Sequence, residues 1–327
     1  MLLGTVRGYR LRRVNNFDFI TTKIESALVT LMHNRFRPLL TKSVKQTYLN
    51  HSIGKLFEKT FFTFCETVAI QQFVECGAHE AHASQEISRI LPDCSVFAYE
   101  ANPFVFETYR KELEGTGISY LNLAVSNSTG NANFSIKDKD TKSWSSEGYL
   151  SPEKDVTSTK SFSIATTTLD SEWESRFKRV RTAIWVDVEG SNRMLIEGGT
   201  SFFKEADIVC IFIEVQTSLV WPHDLNPYEV CAILEEKGFV AVARDWPRHW
   251  GCNIFFVHRN FYHHAHTIIE EFYRQIPFLK ISFFPQVHIK SLLGALKRSL
   301  LSLLPRSSHK RLHQVAALLG SRSSSDH

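Results

Sequence analysis

The sequence lacks any Cys-x-x-Cys pair, and its six cysteines, Cys65, Cys76, Cys94, Cys210, Cys231 and Cys252, follow no regular spacing. Neither a disulfide framework nor a structural zinc site is expected, and the setting reads as a reducing cytoplasm. No apolar run approaches the roughly 18 residues that a membrane-spanning helix needs. The opening stretch, MLLGTVRGYRLRR, has no apolar core behind its basic residues and does not read as a secretory signal. Glycine (15) and proline (10) are sparse and hydrophobic residues reach 43%, which excludes a disordered, fibrous or low-complexity chain. Internal repeats are absent. What remains, over 327 residues, is one large domain with additions at its ends and ample material for a core.

Charge of one sign is scarce at the ends. Residues 1–60 hold 11 Lys/Arg against 3 Asp/Glu, and residues 258–327 hold 10 against 3, while residues 61–257 hold 17 against 28. Basic ends around an acidic centre point to an anionic partner or to packing of the ends on the acidic body. In the C-terminal part, Leu292, Leu293, Leu296, Leu300 and Leu303 recur at helical spacing, flanked by Lys290, Lys297 and Arg298 and stopped by Pro305. A basic amphipathic helix of this kind suits either a membrane surface or a docked position on the domain. Nucleic acid is a poor fit, because the basic stretches are rich in leucine and form no recognisable module.

The centre alternates short β-rich runs with helical patterns. Strands are expected at 73–76, 95–100, 118–125, 182–188 and 208–215, then as a pair at 239–243 and 253–257. Helices are expected from about 79 to 91, from Pro103 to about Leu113, after strand 182–188 to near Gly198, and from Pro227 to Gly238. This alternation predicts an α/β domain with a mostly parallel sheet, and the final pair, with no helix between its members, predicts one antiparallel strand. Residues 126–170 break the rhythm with two strands near 131–136 and 161–169 around a polar excursion, 138–160.

In such sheets ligands bind beyond the carboxyl ends of the strands. Three acidic features lie there. Glu75-Cys76-Gly77-Ala78 ends the first strand with a tight turn, and the helix behind it should offer free amides to an anion. Glu100 ends the second, placed to accept hydrogen bonds from ribose hydroxyls. Asp187-Val188-Glu189-Gly190 ends the strand at 182–188, where Asp187 could equally cap the next helix.

The series FVECGAHEAHAS, VFAYEANP, LAVSNSTGNANFSI, TTTLD, WVDVEG and IFIEV resembles, in order, the motifs of the FkbM-family methyltransferases over roughly residues 70–258. The resemblance implies a Rossmann-like class I fold with a seven-stranded sheet, an antiparallel last strand, and S-adenosylmethionine as cofactor. It implies that Glu75, Gly77, Ala78 and His79 line the methionine part of the cofactor. Glu100 would hold the ribose, with Ala101 and Asn102 beside the adenine and Ala124 and Val125 closing the adenine pocket. Asp187 and Glu189 would face the methyl group and the acceptor. Three residues depart from the family's usual Asp-x-Gly-Ala-Asn-x-Gly turn: Glu75 stands at the Asp, His79 at the Asn and Ala81 at the second Gly.

The family methylates hydroxyls of sugars in surface polysaccharides and of related metabolites, so an O-methyltransferase acting on a glycan or small-molecule hydroxyl is expected. The alternative is a non-catalytic binding or scaffolding module. Removing a hydroxyl proton calls for a general base. Asp187 and Glu189 qualify by position; His223 and His249 qualify by type. No metal is expected, since His-x-x-x-His and His-x-Asp spacings are absent around the site. The expected organisation is a helical N-terminal extension (1–68), a methyltransferase domain (69–260) and a basic helical C-terminal extension (261–327), in a cytoplasmic protein with peripheral membrane contact through its tail.

Overall fold

The computed structural model describes residues 44–136, 148–151, 160–216, 224–245 and 251–283. The chain divides into two units, Met1–Tyr273 and Arg274–His327, and the sheet and cleft described below belong to the first. In chain order the elements are α1 (Val44–Thr67), β1 (Gln72–Cys76), α2 (His82–Ile90), β2 (Ser95–Tyr99), α3 (Pro103–Leu113), β3 (Ile118–Leu121) and β4 (Ala124–Val125). There follow β5 (Gly130–Ile136), β6 (Gly148–Ser151), β7 (Lys160–Thr167), α4 (Leu169–Ser175), β8 (Thr182–Val186), α5 (Asn192–Glu197) and α6 (Thr200–Glu205). The series closes with β9 (Ile208–Gln216), α7 (Pro227–Glu236), β10 (Phe239–Arg244), β11 (Gly251–His258) and α8 (Tyr262–Phe283). The amphipathic pattern at 289–304 lies outside the described residues.

The main sheet has seven strands in the order β10-β11-β9-β8-β1-β2-β3. All run parallel except β11, which is antiparallel to both β9 and β10. This is the expected class I arrangement with its last strand reversed. The central strands are mostly apolar, as strands covered on both faces are. One face presents Val74, Ile184, Val186, Ile211, Ile213, Ile254 and Phe256 to Trp173 of α4, Phe202 and Phe203 of α6, and Val230 and Leu234 of α7. The alternate residues, Phe73, Trp185, Phe212 and Phe255, meet Phe57, Phe61 and Phe64 of α1. Trp185 stacks on Phe212 at 3.9 Å between ring centroids.

The run 118–125, expected as one strand, is two. It breaks at Asn122 and Leu123, and β4 joins a second sheet of order β4-β7-β5-β6. β6 falls inside the stretch expected to be a polar excursion; its Leu150 packs with Ala124, Phe134, Ile136 and Ile164 in a small apolar core. Ala101, Phe104 and Met194 close this core from the main domain, so the small sheet stands beside the ends of β2 and β3. β1 pairs with β2 on one side and β8 on the other. Strand order reverses at β1, and the ends of β1, β2 and β8 therefore flank the switch point where such sheets bind ligands.

Candidate active site

The turn after β1 passes through left-handed backbone at Gly77 (φ 81), His79 (φ 47) and Ala81 (φ 57). At Gly77 no side chain is possible: a Cβ would lie 1.8 Å from the Asp187 carbonyl oxygen. The contact is locked by the Asp187 amide donating to the Cys76 carbonyl at 2.8 Å. The alternating backbone explains the family's Asn and Gly at positions 79 and 81, since both tolerate positive φ. Histidine is among the better substitutes; alanine costs about 1–2 kcal/mol. The departures thus keep the shape of the turn. His79 gives its amide to Glu100 at 2.7 Å, its carbonyl accepts from Tyr120 Oη at 2.5 Å, and its ring pairs with Glu80. Burial acts to raise the Glu80 carboxyl, but the bonds to His79 and backbone outweigh it and hold it below its ordinary value.

Glu75 borders the cleft, yet its carboxylate turns inward. Oε2 accepts the Ser84 amide at 2.9 Å and the Ser84 hydroxyl at 2.5 Å, and a further bond comes from the Ala83 backbone. The helix amides expected to be free for an anion are thus occupied from within, because β1 delivers a carboxylate to the start of α2. Burial pushes the Glu75 carboxyl up to about 7 against these bonds.

Glu100, 7% exposed, is gripped on both oxygens: Oε2 by the His79 amide and Oε1 by the Asn102 amide at 2.6 Å. Burial raises its carboxyl, and the two amides and His79 pull it back in part. Each oxygen can still accept a second hydrogen bond from the cleft. Asn102 does not line the cleft, contrary to its expected place beside adenine. Its Oδ1 caps α3, accepting from Phe104 N at 3.0 Å and Val105 N at 3.5 Å, with Pro103 in the first turn. Asn-Pro is a helix-start signal, and that use takes the side chain.

Asp187 and Glu189 follow β8. Val186 is in register with Ile213, which sets Asp187 beside Glu214 on the neighbouring parallel strand, and the two carboxyls are hydrogen-bonded. Burial pushes Asp187 well up, reinforced by Glu214, Glu189 and Glu75. Gln216 Nε2 donates to Glu189 at 2.6 Å and to Glu214 at 3.5 Å. Asp187 is not a helix cap: the first amides of α5, Asn192 and Arg193, go to Asp224 at 3.1 and 2.8 Å. His223 and His249 lie outside the described residues.

These features enclose a cleft of about 380 Å³, within the range of small-ligand sites. Glu75, Gly77, Ala78, His79, Glu100, Ala101, Ala124, Val125, Asp187 and Glu189 all line it. Among the described residues no group of three or more His, Cys, Asp or Glu is placed to hold a metal.

A family model of the methyltransferase FkbM domain matches residues 75–241, and every residue lining the cleft falls inside that span. The chain belongs to the FkbM methyltransferase family. No curated protein matches the sequence. Solved structures of similar architecture include magnesium protoporphyrin IX methyltransferase (ChlM) from Synechocystis PCC 6803 with bound SAM. It is 8% identical, covering 76% of this chain and 100% of that one, with a TM-score of 0.37. Another is precorrin-6y C5,15-methyltransferase from Geobacter metallireducens GS-15, 15% identical over 57% of this chain and 79% of that one, TM-score 0.33. A third is the N-terminal domain of EvdMO1 in the presence of SAH and D-fucose, 12% identical over 62% and 81%, TM-score 0.35. Likeness at this level bears on neither substrate nor residue roles.

The FkbM cleft also has walls that sequence reasoning missed. Phe134, Tyr149 and Leu150 come from the small sheet, and Leu123, His82 and Trp185 from the main domain. Glu214 was within reach of the same signal that singled out Glu100, a carboxylate near a strand's carboxyl end. Tyr149 and Leu150 had no such signal, since β6 is four residues long inside a polar stretch.

Proposed function

We propose that this chain is an S-adenosylmethionine-dependent O-methyltransferase acting on a hydroxyl of a sugar, in a polysaccharide or glycolipid, or of a similar secondary metabolite. The observation that carries the reading is the pair of carboxylates at strand ends on either side of β1: Glu100, immobilised by two amides, and Asp187, packed on the Gly77 turn. The residues fit the family's cofactor. Glu100 would take the ribose hydroxyls, and Ala101, Leu123, Ala124 and Val125 offer an apolar wall for adenine. The Gly77 turn would face the methionine part. The bound cofactor supplies an electrophilic methyl group on a sulfonium. The protein's part is to hold the acceptor oxygen in line with it, where positioning alone is worth several kcal/mol. A general base must also take the acceptor's proton. Asp187 and Glu189 stand at that end of the cleft, Glu189 held by Gln216. The competing reading, a non-catalytic module, has no structural observation in its favour among the described residues.

Calorimetric titration with S-adenosylhomocysteine tests the reading. The wild type should bind, and Glu100→Ala should weaken binding by roughly 100-fold or more, since hydrogen bonds to a charged group contribute about 1.5–3 kcal/mol each. Unchanged affinity in the variant would remove the ribose assignment. The basic, leucine-rich segment at 289–304 supports a peripheral membrane contact that keeps the enzyme near a lipid-borne acceptor. Deleting residues 285–327 should reduce co-sedimentation with anionic liposomes without altering S-adenosylhomocysteine affinity; equal co-sedimentation would refute the membrane role.

A further inference from the structure

We infer that Asp187 and Glu214 act as one proton-sharing carboxyl pair that tells the sulfonium form of the cofactor from its neutral thioether product. The inference rests on the cofactor reading above and adds a residue, Glu214, and a task. Register sets the two side by side: Val186 pairs with Ile213, Asp187 follows β8 directly and Glu214 is the next residue on β9. Two carboxyls within hydrogen-bond reach hold a proton between them, because like charges so close do not both ionise readily. The pair is fixed from both sides. Asn192 Nδ2 donates to the Glu214 carbonyl at 3.0 Å, and Gln216 Nε2 bridges Glu214 and Glu189.

Asp187 lines the cleft, and its backbone touches the Gly77 turn. The sulfur of the cofactor is bonded to both the ribose arm and the methionine arm. With the ribose at Glu100 and the methionine at the Gly77 turn, the sulfur would lie between them, and Asp187 borders that turn. Glu189 adds like charge to the pair, and Glu75 does so once it ionises near pH 7, while Glu80, Glu100, His79 and His82 line the same cleft. No Lys or Arg is among the lining residues.

A sulfonium at that place favours the fully ionised pair, so the shared proton leaves as the cofactor binds. In the transfer the carbon–sulfur bond breaks with its electron pair going to sulfur, and the acceptor oxygen forms the new bond to carbon. The hydroxyl proton goes to the pair. Before transfer a +1 sulfonium faces a −2 pair; afterwards a neutral thioether faces a −1 pair. The local charge is conserved, and no uncompensated charge is created in a buried place. Loss of the sulfonium also removes the attraction that held the cofactor, which favours product release.

S-adenosylmethionine and S-adenosylhomocysteine share every titrating group and differ by the methyl and the fixed charge of the sulfonium, so the ratio of their affinities isolates what senses that charge. Both are titrated calorimetrically against the full chain from about pH 5.5 to about pH 8.5, in buffers of different ionisation enthalpy. The preference for S-adenosylmethionine should rise roughly tenfold or more with pH, and its binding should release about one proton where S-adenosylhomocysteine releases none. In Glu214→Gln no second carboxyl shares the proton, while burial still raises Asp187, so the pH dependence of the preference should move to lower pH and the proton release across this range should shrink. A pH-independent ratio in the wild type overturns the inference, as does a Glu214→Gln variant with unaltered pH dependence. If that variant does not fold, proton release by the wild type decides alone. Failure of the wild type to bind either compound overturns the cofactor reading and this inference with it, whereas binding of both at a constant ratio overturns this inference only.

Discussion

Gly77→Ala should break the joint between the first turn and the Asp187 loop, and Gly115→Ala provides the matched control. The two glycines have almost the same backbone, φ 81 and 79, so alanine suffers the same left-handed penalty at both, about 1–2 kcal/mol. The gain from a stiffer unfolded chain, about 0.4–1 kcal/mol, is also common to both. Their surroundings differ. A Cβ on Gly115 meets nothing within 4 Å, whereas on Gly77 it lies 1.8 Å from the Asp187 oxygen and 2.7 Å from its carbonyl carbon. Those atoms are backbone and cannot rotate away, so the segments must part by more than an ångström. That motion overpacks the core at about 1–3 kcal/mol and stretches the Asp187–Cys76 bond, worth about 1 kcal/mol. In urea unfolding followed by circular dichroism, Gly77→Ala should therefore lose roughly 2–4 kcal/mol more stability than Gly115→Ala. It should also lose S-adenosylhomocysteine binding, which Gly115→Ala keeps. Equal losses in the two variants would refute the steric argument.

Two further changes test the buried carboxylates. Glu75, raised from an ordinary 4.5 to about 7, binds its proton more tightly folded than unfolded. Stability should fall as pH rises from about 4.5 to about 7, by roughly 3 kcal/mol, and level off above. Glu75→Gln should flatten that segment of the stability–pH curve in denaturant titrations, and a variant that keeps the slope would show another group to be responsible. Glu172, 4% exposed, accepts from Tyr99 Oη at 2.7 Å and Thr167 Oγ1 at 2.7 Å, with Arg176 Nε at 3.1 Å. Tyr99→Phe should cost about 1–3 kcal/mol by leaving that buried charge short of a donor; thermal unfolding at the wild-type midpoint would count against the network.

Gly77, Glu100 and Asp187 could be found in the sequence because each sits where an apolar run ends, and such ends converge in this fold class. Their uses were less visible. The inward turn of Glu75 depends on Ser84, nine residues on, whose approach is set by how α2 packs on β1. Asn102 was assigned to the ligand although Asn-Pro also opens a helix, and the local use prevailed. The antiparallel β11 was readable from the missing helix before it. The four-stranded sheet was not: β4 and β6 are two and four residues long, below the length at which periodicity carries a signal. The contact of α1 with the sheet was equally hidden, since facing aromatic rings announce burial but not against what.

The strand that comes last in the sheet by sequence lies inside it in space. β11 separates β9 from β10, and the family match stops at residue 241, before β11 begins. A chain growing from its N-terminus therefore carries β9 and β10 with a strand-wide gap between them until residue 258 has been made. During that interval β9 exposes an unpaired apolar edge, a template for pairing with other chains. Phe61 and Phe64 of the first described helix close on Phe255 of that same strand, so this helix waits for β11 to complete its packing. A piece cut at the limits of the family match would hold every residue lining the cleft and yet lack the strand that joins β10 to the rest of its sheet.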